Sequence, residues 1–288
     1  MHPDWIKKSI MRNDSFLSVE NLINDFNINT VCQEASCPNI YECWSEGTAT
    51  FMILGDVCSR GCRFCHVKKG LLGPIDNSEK DKIVEAVKKL GLKYIVLTSV
   101  DRDDLPDQGS GHFSSCIKAL KGTHIKIECL IPDFTGRKDL IKNIIETGPD
   151  VIAHNVETVR RLQILARDAR ASYEQSLAVL KFVKEENSSI YTKSTILLGM
   201  GEKKLEITQT MEDLRKIDVD ILVLSQYLQP SKSHLPVNEY IKPEKFNSLK
   251  ETAEDMGFVC ASGPWIRTSY KAHEFFNKCV VKNEINRN

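Results

Sequence analysis

Residues 48–65 read TATFMILGDVCSRGCRFC. The apolar run 48–55 has the length and residue types of a buried strand, and three cysteines follow it directly. Similar runs recur at 94–100, 125–131, 151–156, 190–198 and 221–228. Between them lie stretches of helical period at 81–90, 139–146, 172–184, 205–217 and 243–256. In the first of these, Ile83, Ala86, Val87 and Leu90 share one face. Six strands alternating with helices predict parallel βα units and an α/β fold. Six units are too few for a closed eight-unit barrel. The expectation is therefore a partial (βα)6 TIM-like barrel, with an open doubly wound sheet as the alternative. In either, ligands gather beyond the C-terminal ends of the strands, where the loop 56–65 lies.

Working outward, Val19, Leu22, Ile23 and Phe26 predict one short helix with Ser18 as its N-cap. Residues 29–47 hold three more cysteines among a proline and polar residues, and read as loop. The expected organisation is an N-terminal extension 1–47, a barrel 48–258 and a C-terminal extension 259–288.

Composition excludes several classes. With 41% hydrophobic and 27% charged residues, the 288-residue chain is globular rather than disordered. Lys plus Arg and Asp plus Glu each total 39, so the basic excess of a dedicated nucleic-acid binder is absent. No apolar run approaches the ~18 residues that span a bilayer. The start, MHPDWIKKSI, lacks the apolar core of a secretory leader. The expected home is the cytoplasm, with no nucleic-acid or membrane partner.

Ten cysteines in 288 residues are too few for a disulfide scaffold, yet six fall within residues 32–65. Cys58, Cys62 and Cys65 have the spacing C-x3-C-x2-C. Three thiolates on one loop hold three irons of a cubane and leave the fourth iron open for a ligand. The alternative is structural zinc, with His66 completing four ligands. Cys32, Cys37 and Cys43 have the spacing C-x4-C-x5-C. The fourteen residues between Cys43 and Cys58 include an apolar strand, which favours two sites over one six-thiolate site. Cys116, Cys129, Cys260 and Cys279 are expected as packing residues, and His112, His154 and His234 as hydrogen-bonding residues.

C-x3-C-x2-C with Phe64 before the last cysteine resembles the signature of the radical S-adenosylmethionine superfamily. Together with NTVCQEASCPNIYEC, TSVDRDDL, HNVET, LLGMGE, QYLQPSKSHLPV and Arg267-Thr268-Ser269-Tyr270, it resembles the lipoyl synthase family from about Trp5 to Phe276. The resemblance implies that Cys58, Cys62 and Cys65 hold a 4Fe–4S cluster whose open iron chelates S-adenosylmethionine, the source of a 5′-deoxyadenosyl radical. It implies that Cys32, Cys37 and Cys43, with Ser269 as fourth ligand, hold an auxiliary 4Fe–4S cluster that is dismantled to donate sulfur. A serine oxygen is a hard ligand among thiolates and marks the weak bond.

By the same resemblance, Asn155 and Glu157 bind the ribose of the cofactor. Arg170 binds its methionyl carboxylate, with Arg167 as competitor. Residues 98–101 line the pocket, and the turn 199–202 approaches adenine. The implied reaction inserts two sulfur atoms at carbons 6 and 8 of an octanoyl-lysyl group, using two S-adenosylmethionine. Implied partners are octanoylated lipoyl domains of 2-oxoacid dehydrogenases, the glycine-cleavage H protein, an electron donor and an iron–sulfur carrier. Four positions depart from the family pattern: Gln108 replaces a usual Gly, Met200 a Leu, Ser225 a Gly and Thr268 a Ser. Two other readings stand beside this one: a sulfur-inserting relative acting on a free metabolite, and a metal-binding interaction module. The first predicts no turnover on an octanoylated domain, the second no cleavage of S-adenosylmethionine.

Overall fold

The structure, a computed structural model, describes residues 3–6, 12–46 and 48–285. Most of the start weighed above for a leader, and Gly47 at the expected domain boundary, lie outside the described residues. The architecture is α/β with mostly parallel strands, and it divides into two compact units. The N-terminal unit comprises residues 12–46, 48–61 and 65–150; the C-terminal unit comprises 3–6, 62–64 and 151–285.

The N-terminal unit holds strands β1 (Asn29–Thr30), β2 (Thr50–Ile53), β3 (Tyr94–Ser99) and β4 (Lys126–Leu130), paired in that order. The β1–β2 pair is antiparallel, and the β2–β3 and β3–β4 pairs are parallel. Its helices are α1 (Asp14–Asp25), α2 (Val31–Glu34), α3 (Ile40–Ser45), α4 (Glu79–Leu90), α5 (Ser110–Lys121) and α6 (Lys138–Ile145). Phe51, Ile53, Leu97 and Ile127 from the strands are buried, as are Ile83, Phe113, Ile117 and Ile144 from the helices. All four strand residues are apolar because a parallel sheet flanked by crossover helices is removed from water on both faces.

The C-terminal unit holds β5 (Val151–Ala153), β6 (Tyr191–Leu198), β7 (Ile221–Gln226) and β8 (Val259–Gly263), all parallel and again paired in chain order. Its helices are α7 (Gln163–Ala166), α8 (Tyr173–Glu186), α9 (Lys204–Lys216), α10 (Pro243–Asp255) and α11 (Ala272–Ile285). Leu180, Ile196, Leu198, Met211, Leu222, Leu224 and Leu249 form its core, with Met200 among them.

Within each unit, neighbours in the sheet are neighbours in the chain. That is the winding of a barrel, whereas a doubly wound sheet reverses its strand order. The six expected strands are present, and among the described residues β1, β8 and a separate two-residue pair, Val57–Cys58 with Lys68–Lys69, are additional. Two expectations are corrected. Helix α1 starts at Asp14, capped by the Asn13 side chain on the Phe16 N–H at 2.9 Å, so Ser18 lies inside the helix. Residues 29–47 are not plain loop, because Cys32 sits in α2 and Cys43 in α3.

Candidate active site

In the N-terminal unit, the chain leaving β2 enters the cysteine loop. Residues Val57–Cys58 pair with Lys68–Lys69 in a short parallel ladder that closes the loop's base. The Cys58 thiol lies 3.6 Å from an Asp101 carboxylate oxygen, and the Arg60 N–H donates to Cys58 Sγ at 3.5 Å. Burial, then the Asp101 charge, pushes the Cys58 thiol up to about 12.

Arg60 is the buried hinge pin of this loop. Its Nε and Nη2 grip both Asp103 oxygens at 2.9 and 2.7 Å, and its Nη1 donates to Asp133 at 2.8 Å. Ser59 Oγ donates to Asp103 at 2.7 Å. A single guanidinium thus ties the cluster loop to the segments following β3 and β4. Sequence reasoning missed it; the only signal was an arginine between two cysteines and an acidic run after β3. Thr98, expected as a pocket residue, donates instead to the Leu130 carbonyl at 3.0 Å within the sheet.

The first cysteine motif lies in the same unit. Cys32 is buried in α2, and Cys37 and Cys43 are half-buried. Burial, with the nearby Cys37, lifts the Cys32 thiol to about 11; burial, with Cys32 and Cys37, lifts Cys43 to about 12. The Cys37 charge acts on both of the others, and the Cys37 N–H donates to the Cys32 carbonyl at 3.0 Å, so the three residues are close neighbours. His66 Nδ1 is 3.2 Å from the Glu34 carbonyl and 3.1 Å from Ser36 Oγ, so the residue after Cys65 meets the segment between Cys32 and Cys37. A carbonyl only accepts, so Nδ1–H donates there.

In the C-terminal unit, the Asp168 N–H donates to Cys62 Sγ at 3.4 Å, and the Arg63 N–H to the Ala166 carbonyl at 2.8 Å. Arg170 is exposed and holds the Asp168 carboxylate through Nε at 2.8 Å and Nη2 at 3.0 Å. Arg167 is half-buried; its Nη1 donates to Ser176 at 2.7 Å, and its Nε is buried with no hydrogen-bond partner. His154 reaches Ser176 at 3.0 Å, as expected of a hydrogen-bonding residue.

Asn155 and Glu157 lie beyond β5. Glu157 has φ 66°, so the plain alternation of a strand does not continue to it; a bridge to Ile196 holds it instead. The two side chains nonetheless meet, Asn155 Nδ2 donating to Glu157 Oε1 at 3.1 Å. Burial holds the Glu157 carboxyl above its ordinary range, against the opposing pull of Arg167. Asn155 Oδ1 and Thr158 Oγ1 are buried without partners. Such orphans are rare in native proteins, and both atoms are left with capacity for a further hydrogen bond.

Ser269 stands half-buried after β8, in the C-terminal unit. The turn before it is pinned to β6 and to the end of β7: Ser225 Oγ donates to the Ile266 carbonyl, and Thr268 Oγ1 lies 2.9 Å from Thr195 Oγ1. In the 199–202 turn, the Gly199 and Met200 N–H groups are capped by the Glu202 carboxylate.

The donor set fits the implied groups. All ten cysteines stand as thiols rather than disulfides, and the four outside the motifs are buried packing residues as expected. Backbone N–H groups point at Cys58 and Cys62 sulfur, as they do where protein tunes an iron–sulfur cluster. Among the described residues, no three His, Cys, Asp or Glu side chains converge on one point as a single ion requires. A cubane makes no such demand, because each thiolate binds a different iron.

The sequence profile of the radical SAM superfamily matches residues 52–214. A lipoyl synthase of Halobacterium salinarum is 52% identical over 97% of this chain and 92% of its own length. A lipoyl synthase of Picrophilus torridus is 52% identical over 96% and 97%. A chloroplastic lipoyl synthase of Ricinus communis is 50% identical over 97% and 79%. Among solved structures, methylornithine synthase aligns with a TM-score of 0.56 at 14% identity, over 73% of this chain and 63% of its own. A maturase of the [FeFe]-hydrogenase aligns at 0.56 and 15%, over 71% and 48%. Likeness at that identity shows a shared fold, the partial barrel of radical SAM enzymes.

Proposed function

The chain belongs to the lipoyl synthase family of the radical SAM superfamily, and from that premise we propose how its own residues divide the work. It is a sulfurtransferase that inserts two sulfur atoms into an octanoyl-lysyl group of a lipoyl domain, with S-adenosylmethionine and two 4Fe–4S clusters as cofactors. When bound, these groups supply the carbon-centred radical and the sulfur, chemistry that side-chain acids and bases do not provide.

Cys58, Cys62 and Cys65 hold the radical-generating cluster, and Arg60 fixes their loop through Asp103 and Asp133. Cys32, Cys37, Cys43 and Ser269 hold the auxiliary cluster, Ser269 being the ligand most readily given up. Asn155 and Glu157 take the ribose hydroxyls. Arg170 takes the methionyl carboxylate; its fork already holds a carboxylate two-handed, that of Asp168, whose N–H meets Cys62. Carriers include the glycine-cleavage H protein as well as lipoyl domains, with an electron donor and an iron–sulfur carrier as further partners. Ten thiols without a disulfide suit a reducing compartment, which supports the cytoplasm. The extensions 1–47 and 259–288 carry the auxiliary site, and 48–258 the radical chemistry.

The observation that supports this division is the trio Cys32, Cys37 and Cys43, in which the Cys37 N–H donates to the Cys32 carbonyl at 3.0 Å and which β2 separates from the Cys58–Cys65 loop in sequence. After anaerobic reconstitution, the intact chain is expected to hold about eight irons, four per cubane. Cys32→Ala should fall to about four, and should still cleave S-adenosylmethionine while making no lipoyl product from an octanoyl-lysyl peptide. An unchanged iron count in that variant overturns the two-cluster division.

A further inference from the structure

Two of the four departures from the family pattern, Ser225 and Thr268, meet on one seam of the C-terminal unit. Ser225 Oγ, at the end of β7, donates to the Ile266 carbonyl. Two residues later, Thr268 Oγ1 is 3.3 Å from Asn155 Nδ2 and 2.9 Å from Thr195 Oγ1. The first contact anchors the turn; the second reaches the ribose-binding amide.

The hydrogen count fixes the directions at the Asn155 amide. The Asn155 amide has two N–H bonds, one given to Glu157 at 3.1 Å and the other to Thr268. Thr268 Oγ1 therefore accepts from Asn155, and its 2.9 Å contact with Thr195 Oγ1, in which either hydroxyl can donate, holds it in place. With both N–H groups spent, the amide is held in one flip state, and its Oδ1 is left buried without a protein partner. An amide turned by 180° would present N–H where Oδ1 now stands, and would set its carbonyl against the Glu157 carboxylate. A carboxylate alone does not prevent partial turning about the side-chain bond; a second acceptor across the amide does.

We propose that Thr268 is a positioning residue for cofactor binding: its hydroxyl, fixed by Thr195, orients Asn155 so that Oδ1 accepts a ribose hydroxyl of S-adenosylmethionine. The inference rests on the ribose role assigned above to Asn155. It gives the residue next to Ser269 a task on the cofactor side of the chemistry, independent of Ser269 itself. It also accounts for threonine at this position. A β-branched side chain has fewer rotamers than serine and holds the hydroxyl toward Thr195 at lower entropic cost.

The test is equilibrium binding of S-adenosylmethionine to the reconstituted full chain, with iron content and thermal midpoint measured beside it. Thr268→Val, which removes the hydroxyl and keeps the shape, should weaken binding about five- to tenfold, the worth of one lost orienting hydrogen bond. Thr268→Ser should restore affinity to within about twofold. Thr268→Val combined with Asn155→Ala should bind no more weakly than Asn155→Ala alone, since the hydroxyl acts through the amide. Iron content should stay at the parent value throughout. If Asn155→Ala binds normally, the ribose assignment fails. If Asn155→Ala weakens binding but Thr268→Val does not, or the two effects add, the positioning role is overturned. Should Thr268→Val not fold, Thr195→Val removes the hydroxyl's own partner and is expected to weaken binding in the same sense; unchanged affinity there overturns the role as well.

Discussion

Glu157 is the residue whose environment makes the sharpest statement. Burial raises its pKa above the ordinary 4.5, and the charges and dipoles facing it, Arg167 and the Asn155 amide, only partly oppose that. For an acid with a raised folded pKa, the contribution to stability is complete below the unfolded value and is lost as pH rises through the folded value. In the proposed ribose site the hydroxyls donate to the ionised form, so the ligand pulls the other way. Affinity for S-adenosylmethionine should therefore fall as pH drops through the raised pKa, at a higher pH than an ordinary glutamate would impose. Glu157→Gln should bind more weakly at pH 8 and lose that acid limb. A titration by calorimetry in which parent and variant share the limb would remove Glu157 from the ribose site. At this scale the sequence displayed residue types but not partners. Cys58, Asn155 and Glu157 could be named from motifs, whereas Arg60 could not, because its partners Asp103 and Asp133 lie 43 and 73 residues away. Gln108, where Gly is usual, does adopt the left-handed φ of 48° that glycine favours.

At the scale of elements, the strands were legible because parallel strands are buried on both faces and so carry apolar runs, even where, as at residues 192–195 in β6, buried polar residues interrupt them. β8 was missed for the opposite reason: Val259–Gly263 reads VCASG, small and partly polar, and is a strand only because β7 pairs with it. The helices α2 and α3, of four and six residues, are too short to express a period. Asn13, Asp14, Ser15 and Ser18 are all residue types that cap helices, and only backbone geometry selects Asn13 rather than the expected Ser18. The β6–α9 turn shows what an element end demands. Gly199 has φ 102°, and a methyl group there would stand 2.4 Å from both Gln226 Nε2 and the Glu239 carbonyl. Gly199→Ala is therefore expected to lower stability by more than about 2 kcal/mol, through strain and displaced backbone together. Gly73→Ala, which meets nothing within 4 Å, should change it by less than about 0.5 kcal/mol. Urea midpoints distinguish the two; equal midpoints would mean the turn yields without cost.

For the molecule as a whole, the balance of 39 basic and 39 acidic residues has a functional consequence. Many of the exposed cations are spent locally: Lys68 on Asp56, Lys82 on Asp76, Arg137 on Asp139 and Arg161 on Glu206 lie within 2.6 to 2.7 Å. Each pair contributes little to stability, on the order of 0–1 kcal/mol. Together they shorten the reach of the field, because a paired surface looks neutral beyond a Debye length of about 8 Å at physiological salt. Long-range steering raises association rates only when a net field survives at that distance. A lipoyl domain approaching this enzyme is therefore expected to be recognised by contact, through the lysine arm and its immediate surroundings. The expected result is a kcat/KM on an intact octanoylated domain that changes by less than about twofold between 0.05 and 0.2 M salt. A short octanoyl-lysyl peptide should show the same flat profile. A steep decline for the domain but not the peptide would instead locate a patch of uncompensated charge that the domain alone can feel, and substitution of exposed basic residues one at a time would then find it.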